Sequence, residues 1–221
     1  ATTMFADPNA NISNNVYKQL SELGFRRSGS HYYRPHCLQC NACIPVRVLA
    51  NDFKPSRSQK RVLKNAQGIQ AQSLSADFHE DHYLLYEKYI NARHVDGDMY
   101  PASREQYRSF LVDGRDCTRF VELTLEGQLL GIAVVDELDD GLSAIYTFFD
   151  PDVEHLSIGT YAILWQLLEA KKRNLPYVYL GYFIKECRKM SYKTAFKPFQ
   201  TRIDERWLTI EELQAISEKY K

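Results

Sequence analysis

Apolar residues recur at helical spacing early in the chain. Val16, Leu20 and Leu23 share one face of residues 14–23, and Gly24 supplies the stop, predicting a short helix. Residues 25–34 alternate loosely around Ser28-Gly29-Ser30 and predict a hairpin, and residues 46–49 read as a strand. Pro55 then breaks the pattern and a serine offers an N-cap. The following helix would hold Arg57, Lys60, Arg61 and Lys64 in one sector. Residues 77–92 and 103–111 predict two further helices.

After Arg115 the period falls to two. Residues 118–125 and 128–138 predict strands joined at Glu126-Gly127, and residues 143–149 a third strand ended by Asp150-Pro151. Residues 157–173, with Ser157 as the expected cap, carry a helical stripe of Tyr161, Leu164, Leu167 and Leu168; residues 177–182 predict a buried strand. Three meandering strands, a helix and one more strand describe an α/β (α+β) chain whose mixed sheet has one crossover.

Composition narrows the class. The 221 residues are 44% hydrophobic and 25% charged, and no apolar run is long enough for a membrane span, so a soluble cytoplasmic protein is expected. Five cysteines, three of them crowded together, do not resemble a secreted disulfide framework. The 28 basic and 28 acidic side chains cancel, but unevenly. Residues 23–76 hold Arg26, Arg27, Arg34, Arg47, Lys54, Arg57, Lys60, Arg61 and Lys64 against the single acid Asp52, and residues 171–206 are also basic. Two basic blocks flanking an acidic middle suit one positive face for phosphate. Cys37, Cys40 and Cys43, spaced C-x2-C-x2-C, could present three thiolates to zinc or to part of an iron–sulfur cluster, with His36, a Cys upstream of residue 1, Cys117 or Cys187 as a further ligand. The alternative is a tight loop packed by small thiols.

The ordered blocks Gly24-Phe25-Arg26-Arg27-Ser28-Gly29, Tyr33-Arg34-Pro35-His36-Cys37, Phe53 to Arg61, His94 to Met99, Ser143 to Pro151 and Tyr177 to Ile184, followed by Cys187, Lys189, Met190, Tyr192, Lys193 and Phe196, resemble the aminoacyl-tRNA–protein transferases. Among these the chain looks most like the bacterial aspartate/glutamate leucyltransferases. Family members usually carry a further Cys and a Tyr-Leu pair upstream of the segment matching Thr3-Met4-Phe5. The resemblance implies a Cys-rich, basic N-terminal domain over residues 1–75 and a GNAT-like aminoacyltransferase domain over residues 76–221. It implies transfer of leucine from leucyl-tRNA to proteins with N-terminal Asp or Glu, marking them for proteolysis. No cofactor is required for that chemistry.

Candidate roles follow. Asp150, Tyr146 and Tyr182, near the carboxyl ends of two strands expected to splay, are the catalytic candidates: Asp150 to orient or deprotonate the amine, the tyrosines to hydrogen-bond the ester or oxyanion. Lys54, Arg57, Lys60, Arg61 and Lys64 are the expected tRNA contacts. An acidic acceptor residue needs a cation, for which Arg47, Lys185, Arg188 and Lys189 are candidates. Two other readings stay open: an acyl-CoA-dependent N-acyltransferase, and a non-catalytic RNA-binding module. The segment Glu154 to Gly159 keeps few glycines and places an acid where an acyl-CoA pyrophosphate would sit.

Overall fold

The run from Leu129 to Val135 is apolar at every position, a pattern suited to a strand covered on both faces. In the computed structural model, which describes residues 2–113 and 115–219, this run lies in β7 (Gln128–Leu138), inside an eight-stranded sheet. β7 pairs antiparallel with β6 (Thr118–Leu125) and β8 (Gly141–Phe149). Glu126 and Gly127 join β6 to β7 with φ of 51° and 81°, the left-handed pair that a two-residue hairpin turn requires.

Beyond β6 the sheet ends at β5 (Gln70–Ser75). Beyond β8 it continues through β9 (Tyr177–Phe183), β4 (Ile44–Leu49), β10 (Phe199–Ile203) and β11 (Arg206–Thr209), and every pairing except β8–β9 is antiparallel. That parallel pair needs a crossover, supplied by α5 (Ile158–Lys172). A smaller sheet joins β1 (Thr3–Phe5), β3 (His31–Pro35) and β2 (Arg26–Ser28).

Side-chain alternation splits the interior in two. Ala133 and Val135 pack with Leu164 and Leu167 of α5, while Ile132, Val134 and Phe148 pack with Tyr86 and Ile90 of α3 (Glu80–Arg93). α2 (Arg57–Asn65) joins the α5 side through Val62 and Leu63. A third cluster seats α1 (Asn14–Glu22) through Tyr17, against Tyr32, Leu138 and Tyr179. The mixed α/β architecture read from the sequence is therefore present, with a large mixed sheet.

Several local expectations change. β4 and β5 precede residue 76 yet lie in the large sheet, so the division at 75/76 cuts through one sheet. The helix expected at 103–111 is α4 (Arg104–Tyr107) continued by a wider π turn, Arg108–Val112. Ser157 does not cap α5: it sits in the left-handed region at φ 53°, with no side-chain bond to the helix. The chain closes with α6 (Ile210–Lys219). Among the described residues no helix is long and apolar enough to cross a membrane.

Candidate active site

β8 and β9 hydrogen-bond only where Gly141, Leu142 and Ser143 face Tyr177, Val178 and Tyr179. Past those three pairs the strands part. The other edge of β9 bulges against β4: Val46 faces Gly181 and Arg47 faces Tyr179, leaving Leu180 unmatched. Gly181 adopts φ 84°, which a side-chain-bearing residue resists. The fork opens into a cavity of about 620 Å³, walled by Ala144, Tyr146 and Thr147 on one strand and by Leu180, Gly181 and Tyr182 on the other. Gly159 and Thr160, in the first turn of α5, line it as well.

Two consecutive arginines on β2 hold the fork. Arg27 is fully buried in a bidentate pair with Asp136, Nε to Oδ2 at 2.6 Å and Nη2 to Oδ1 at 2.7 Å. Tyr17 and Thr118 donate their hydroxyls to the same carboxylate, at 2.5 and 2.7 Å, and Arg27 also donates to the Gly29 carbonyl. Burial works against the guanidinium charge, but the hydrogen bond and charge of Asp136 outweigh it and raise the Arg27 pKa. Arg26 spans the point where the strands separate. It donates to Ser143 Oγ at 2.9 Å and to the carbonyls of Ala144 and Tyr179.

Lys193, in the 3-10 segment Arg188–Ala195, closes the same wall, its Nζ donating to the Tyr182 carbonyl at 2.6 Å. Burial, reinforced by the charge on Arg26, pushes this lysine down to about 8. His94, also on the wall, is lowered by burial and then by the charges of Lys189 and Arg93.

The candidates from sequence divide. Tyr146 lies on the cavity wall, its buried hydroxyl without a hydrogen-bond partner among the described residues. Burial, then the neighbouring Tyr89 and Tyr86, raises its pKa well above the phenol range, so it stays a donor. Tyr182 also lines the cavity, but its hydroxyl donates to the carbonyls of Gly24 at 2.8 Å and Tyr33 at 3.2 Å, which secures the turn before β2. Asp150 is not on the cavity wall. It caps the 3-10 turn Pro151–Leu156, accepting from the Asp152 amide at 2.9 Å and from Lys88 at 2.6 Å. Burial alone would raise its pKa, but the Lys88 hydrogen bond, the backbone donor and the Lys88 charge bring it below the usual value. A carboxylate so committed is a turn element rather than a base facing the cavity.

None of the four cations expected to read an acidic residue lines the cavity. Arg47 is buried on β4, stacked 3.6 Å from the Tyr177 ring centroid and 4.4 Å from that of Trp207, with Nε donating to Gln200. Lys185, Arg188 and Lys189 are exposed. Arg26, Arg27 and Lys193 line the cavity instead; Arg27 is paired with Asp136, while Arg26 and Lys193 have no carboxylate partner among the described residues, and both stand in blocks that carried the family resemblance. Adjacency concealed Arg26, because neighbouring residues on a strand face opposite ways and one arginine of the pair is structural.

The basic segment folds as expected. Ser56 and Gln59 form a capping box at the start of α2, and Gln59 Nε2 donates to the Ala195 carbonyl, tying α2 to the segment that carries Lys193. Lys54, Arg57, Lys60, Arg61 and Lys64 are all exposed, with no carboxylate partner among the described residues.

Cys37 and Cys40 face each other as an isolated bridge, Cys40 is exposed, and Cys37 Sγ accepts from the Thr2 amide at 3.3 Å. Among the described residues no three His, Cys, Asp or Glu are grouped to hold an ion. Cys117 is buried beside Tyr17 and Tyr32. The C-x2-C-x2-C loop is held by backbone pairing, and no fourth ligand converges on it among the described residues.

The fold is shared with L-PGS from Bacillus licheniformis, at a TM-score of 0.54 and 9% identity over 93% of this chain and 68% of that one. Profiles described as the N terminus and the C terminus of arginine-tRNA-protein transferase match residues 1–61 and 81–203. The aspartate/glutamate leucyltransferase of Marinobacter nauticus is 58% identical over 207 residues, covering 94% of this chain and 87% of that protein. That of Hahella chejuensis is 53% identical over 210 residues, covering 95% and 90%. The chain belongs to the arginine-tRNA-protein transferase family, and it is a transferase.

Proposed function

We propose that this chain transfers leucine from leucyl-tRNA to the N-terminal α-amine of proteins that begin with Asp or Glu, and that the added leucine marks them for degradation. Relatives at 50–58% identity over about 95% of the chain, all named aspartate/glutamate leucyltransferase, carry this reading. The amine attacks the ester carbonyl, a peptide C–N bond forms, the ester C–O bond breaks, and the released ribose hydroxyl takes up a proton.

The demands on the protein are modest at the nucleophile. An α-amine with a pKa of about 7.7–8.0 is roughly a tenth neutral at pH 7, so reaching the reactive form costs only about 1–1.4 kcal/mol. Orientation and oxyanion stabilisation have more to contribute. Tyr146, a protonated hydroxyl with no protein partner among the described residues, suits donation to the tetrahedral oxyanion. Tyr182 acts by positioning, through its bonds to Gly24 and Tyr33. The exposed cations of Lys54 and α2 supply a phosphate-binding surface for tRNA, joined to the cavity wall through Gln59. Splayed parallel strands joined by a crossover helix support a GNAT-like reading of β6 to β9 with α5. The cytoplasm, where aminoacyl-tRNA is available, is the compartment this reaction calls for.

Incubation with labelled leucyl-tRNA or arginyl-tRNA and peptides starting with Asp, Glu, Asn or Lys tests all parts together. Label passing from leucyl-tRNA to Asp and Glu peptides alone is the expected result. Transfer from arginyl-tRNA would overturn the donor. No transfer from either would sink the reaction.

A further inference from the structure

Within the cavity, two cations face a point where the protein has left out an atom. A Cβ built on Gly181 would lie 3.4 Å from Arg26 Nε, 3.7 Å from Arg26 Cζ and 3.6 Å from Lys193 Nζ. Any other residue there would put a side chain between the two heads, and the φ of 84° disfavours one independently. Neither head has a carboxylate partner among the described residues. Arg26 spends Nη1 and Nη2 on Ser143 and two carbonyls, and its Nε–H has no acceptor among the described residues. Lys193 spends one N–H on the Tyr182 carbonyl. Two like charges gathered in a partly enclosed space, each with a donor left over, form a site short of one anion.

We propose that Arg26 and Lys193 hold the side-chain carboxylate of the acceptor's first residue in the space above Gly181, and so determine specificity for Asp and Glu. This rests on the reaction proposed above and names the residues that select its acceptor. A carboxylate over that point offers one oxygen to Arg26 Nε and the other to Lys193 Nζ. The geometry favours it over a tRNA phosphate for two reasons. The gap is walled by β8, β9 and the 188–195 segment, so it suits a group at the end of a short side chain rather than one inside a polymer backbone. The protein also presents a separate, open row of cations on α2 for phosphates. An Asn or Gln side chain would leave both charges uncompensated, which gives the discrimination its source. The lysine's depressed pKa agrees: the ammonium is disfavoured until an anion arrives.

The test is binding first and kinetics second. Calorimetry with short peptides that differ only in Asp or Asn at the first position is run on the protein without tRNA, alongside Lys193→Met and Lys193→Arg. The wild type is expected to prefer the Asp peptide about 100-fold. Lys193→Met should reduce that preference to within a few-fold, and Lys193→Arg should restore much of it. In transfer assays Lys193→Met should raise KM for the Asp and Glu peptides and leave KM for leucyl-tRNA unchanged.

Equal binding of Asp and Asn peptides to the wild type overturns the proposal. So does a Lys193→Met enzyme that keeps its Asp preference, or one whose loss falls on leucyl-tRNA, which would assign the anion to tRNA. A wild type that binds Asp selectively through Lys193 but transfers no leucine would uphold this site and refute the reaction. Arg26→Gln is the second variant, read only by the Asp-to-Asn ratio because Arg26 also bonds β8 and β9.

Discussion

Asp136→Asn isolates the buried pair beneath the cavity. Both side chains of the Arg27–Asp136 bridge are fully buried, so the charge of Arg27 has no solvent to fall back on once the carboxylate becomes an amide. The amide oxygen can still accept from Tyr17 or Thr118, but it cannot meet both Nε and Nη2 of Arg27 as two acceptors. Breaking a buried pair by removing one partner costs about 3–5 kcal/mol. In a chain of this length each kcal/mol moves Tm by about 2–4 °C, so a fall of roughly 6–20 °C is expected. Urea titration at neutral pH gives the free energy directly, provided m is unchanged from wild type. The double variant Arg27→Met with Asp136→Leu removes both charges and should be less destabilised than either single change. A single variant within about 1 kcal/mol of wild type, or a double variant losing the sum of both singles, would refute the account of this pair.

Other outcomes follow from the same geometry. Replacing Arg57, Lys60, Arg61 and Lys64 by Gln should flatten the salt dependence of tRNA binding, measured by filter binding, while folding stability stays close to wild type. The log–log slope should fall by about 0.7–0.9 for each phosphate that is no longer neutralised. Tyr182→Phe should cost about 1 kcal/mol of stability through the missing bonds to Gly24 and Tyr33, seen as a lower urea midpoint. His82 is lowered from 6.5 by burial, despite its hydrogen bond to Glu122, so the unfolded chain binds its proton more readily than the folded one. Stability from this group is complete above about pH 6.5 and falls as pH drops toward the folded-state value, and His82→Gln should shrink the difference between urea midpoints at about pH 7.5 and about pH 5.5.

The central architecture was legible because its signals are strong and local. β6, β7 and β8 are long, β-rich and separated by turn residues, and α5 carries an apolar stripe along its fifteen residues. The missed strands lacked those signals. β5, Gln-Ala-Gln-Ser-Leu-Ser, is a polar edge, and β10–β11 turns on Asp204 and Glu205, both at positive φ without a glycine. Site residues were harder to read, since a side chain's chemistry depends on what it meets in space. Asp150 is taken by Lys88 from a distant helix, and Arg47 by aromatic rings of β9 and β11. Arg26 and Lys193 are far apart in sequence and meet only because β8 and β9 part after three pairs.

Arg26 and Arg27 are separated by one peptide unit, about 3.8 Å between α-carbons. The first keeps a donor free in the cavity while the second is clamped to Asp136 of the sheet, so the clamp works as a ruler for the residue beside it. Inserting a single residue into β2 would turn each guanidinium to the opposite face of the strand and break the Arg27 clamp. Any loosening of the Arg27 pair would then blur acceptor choice before it unfolds the chain.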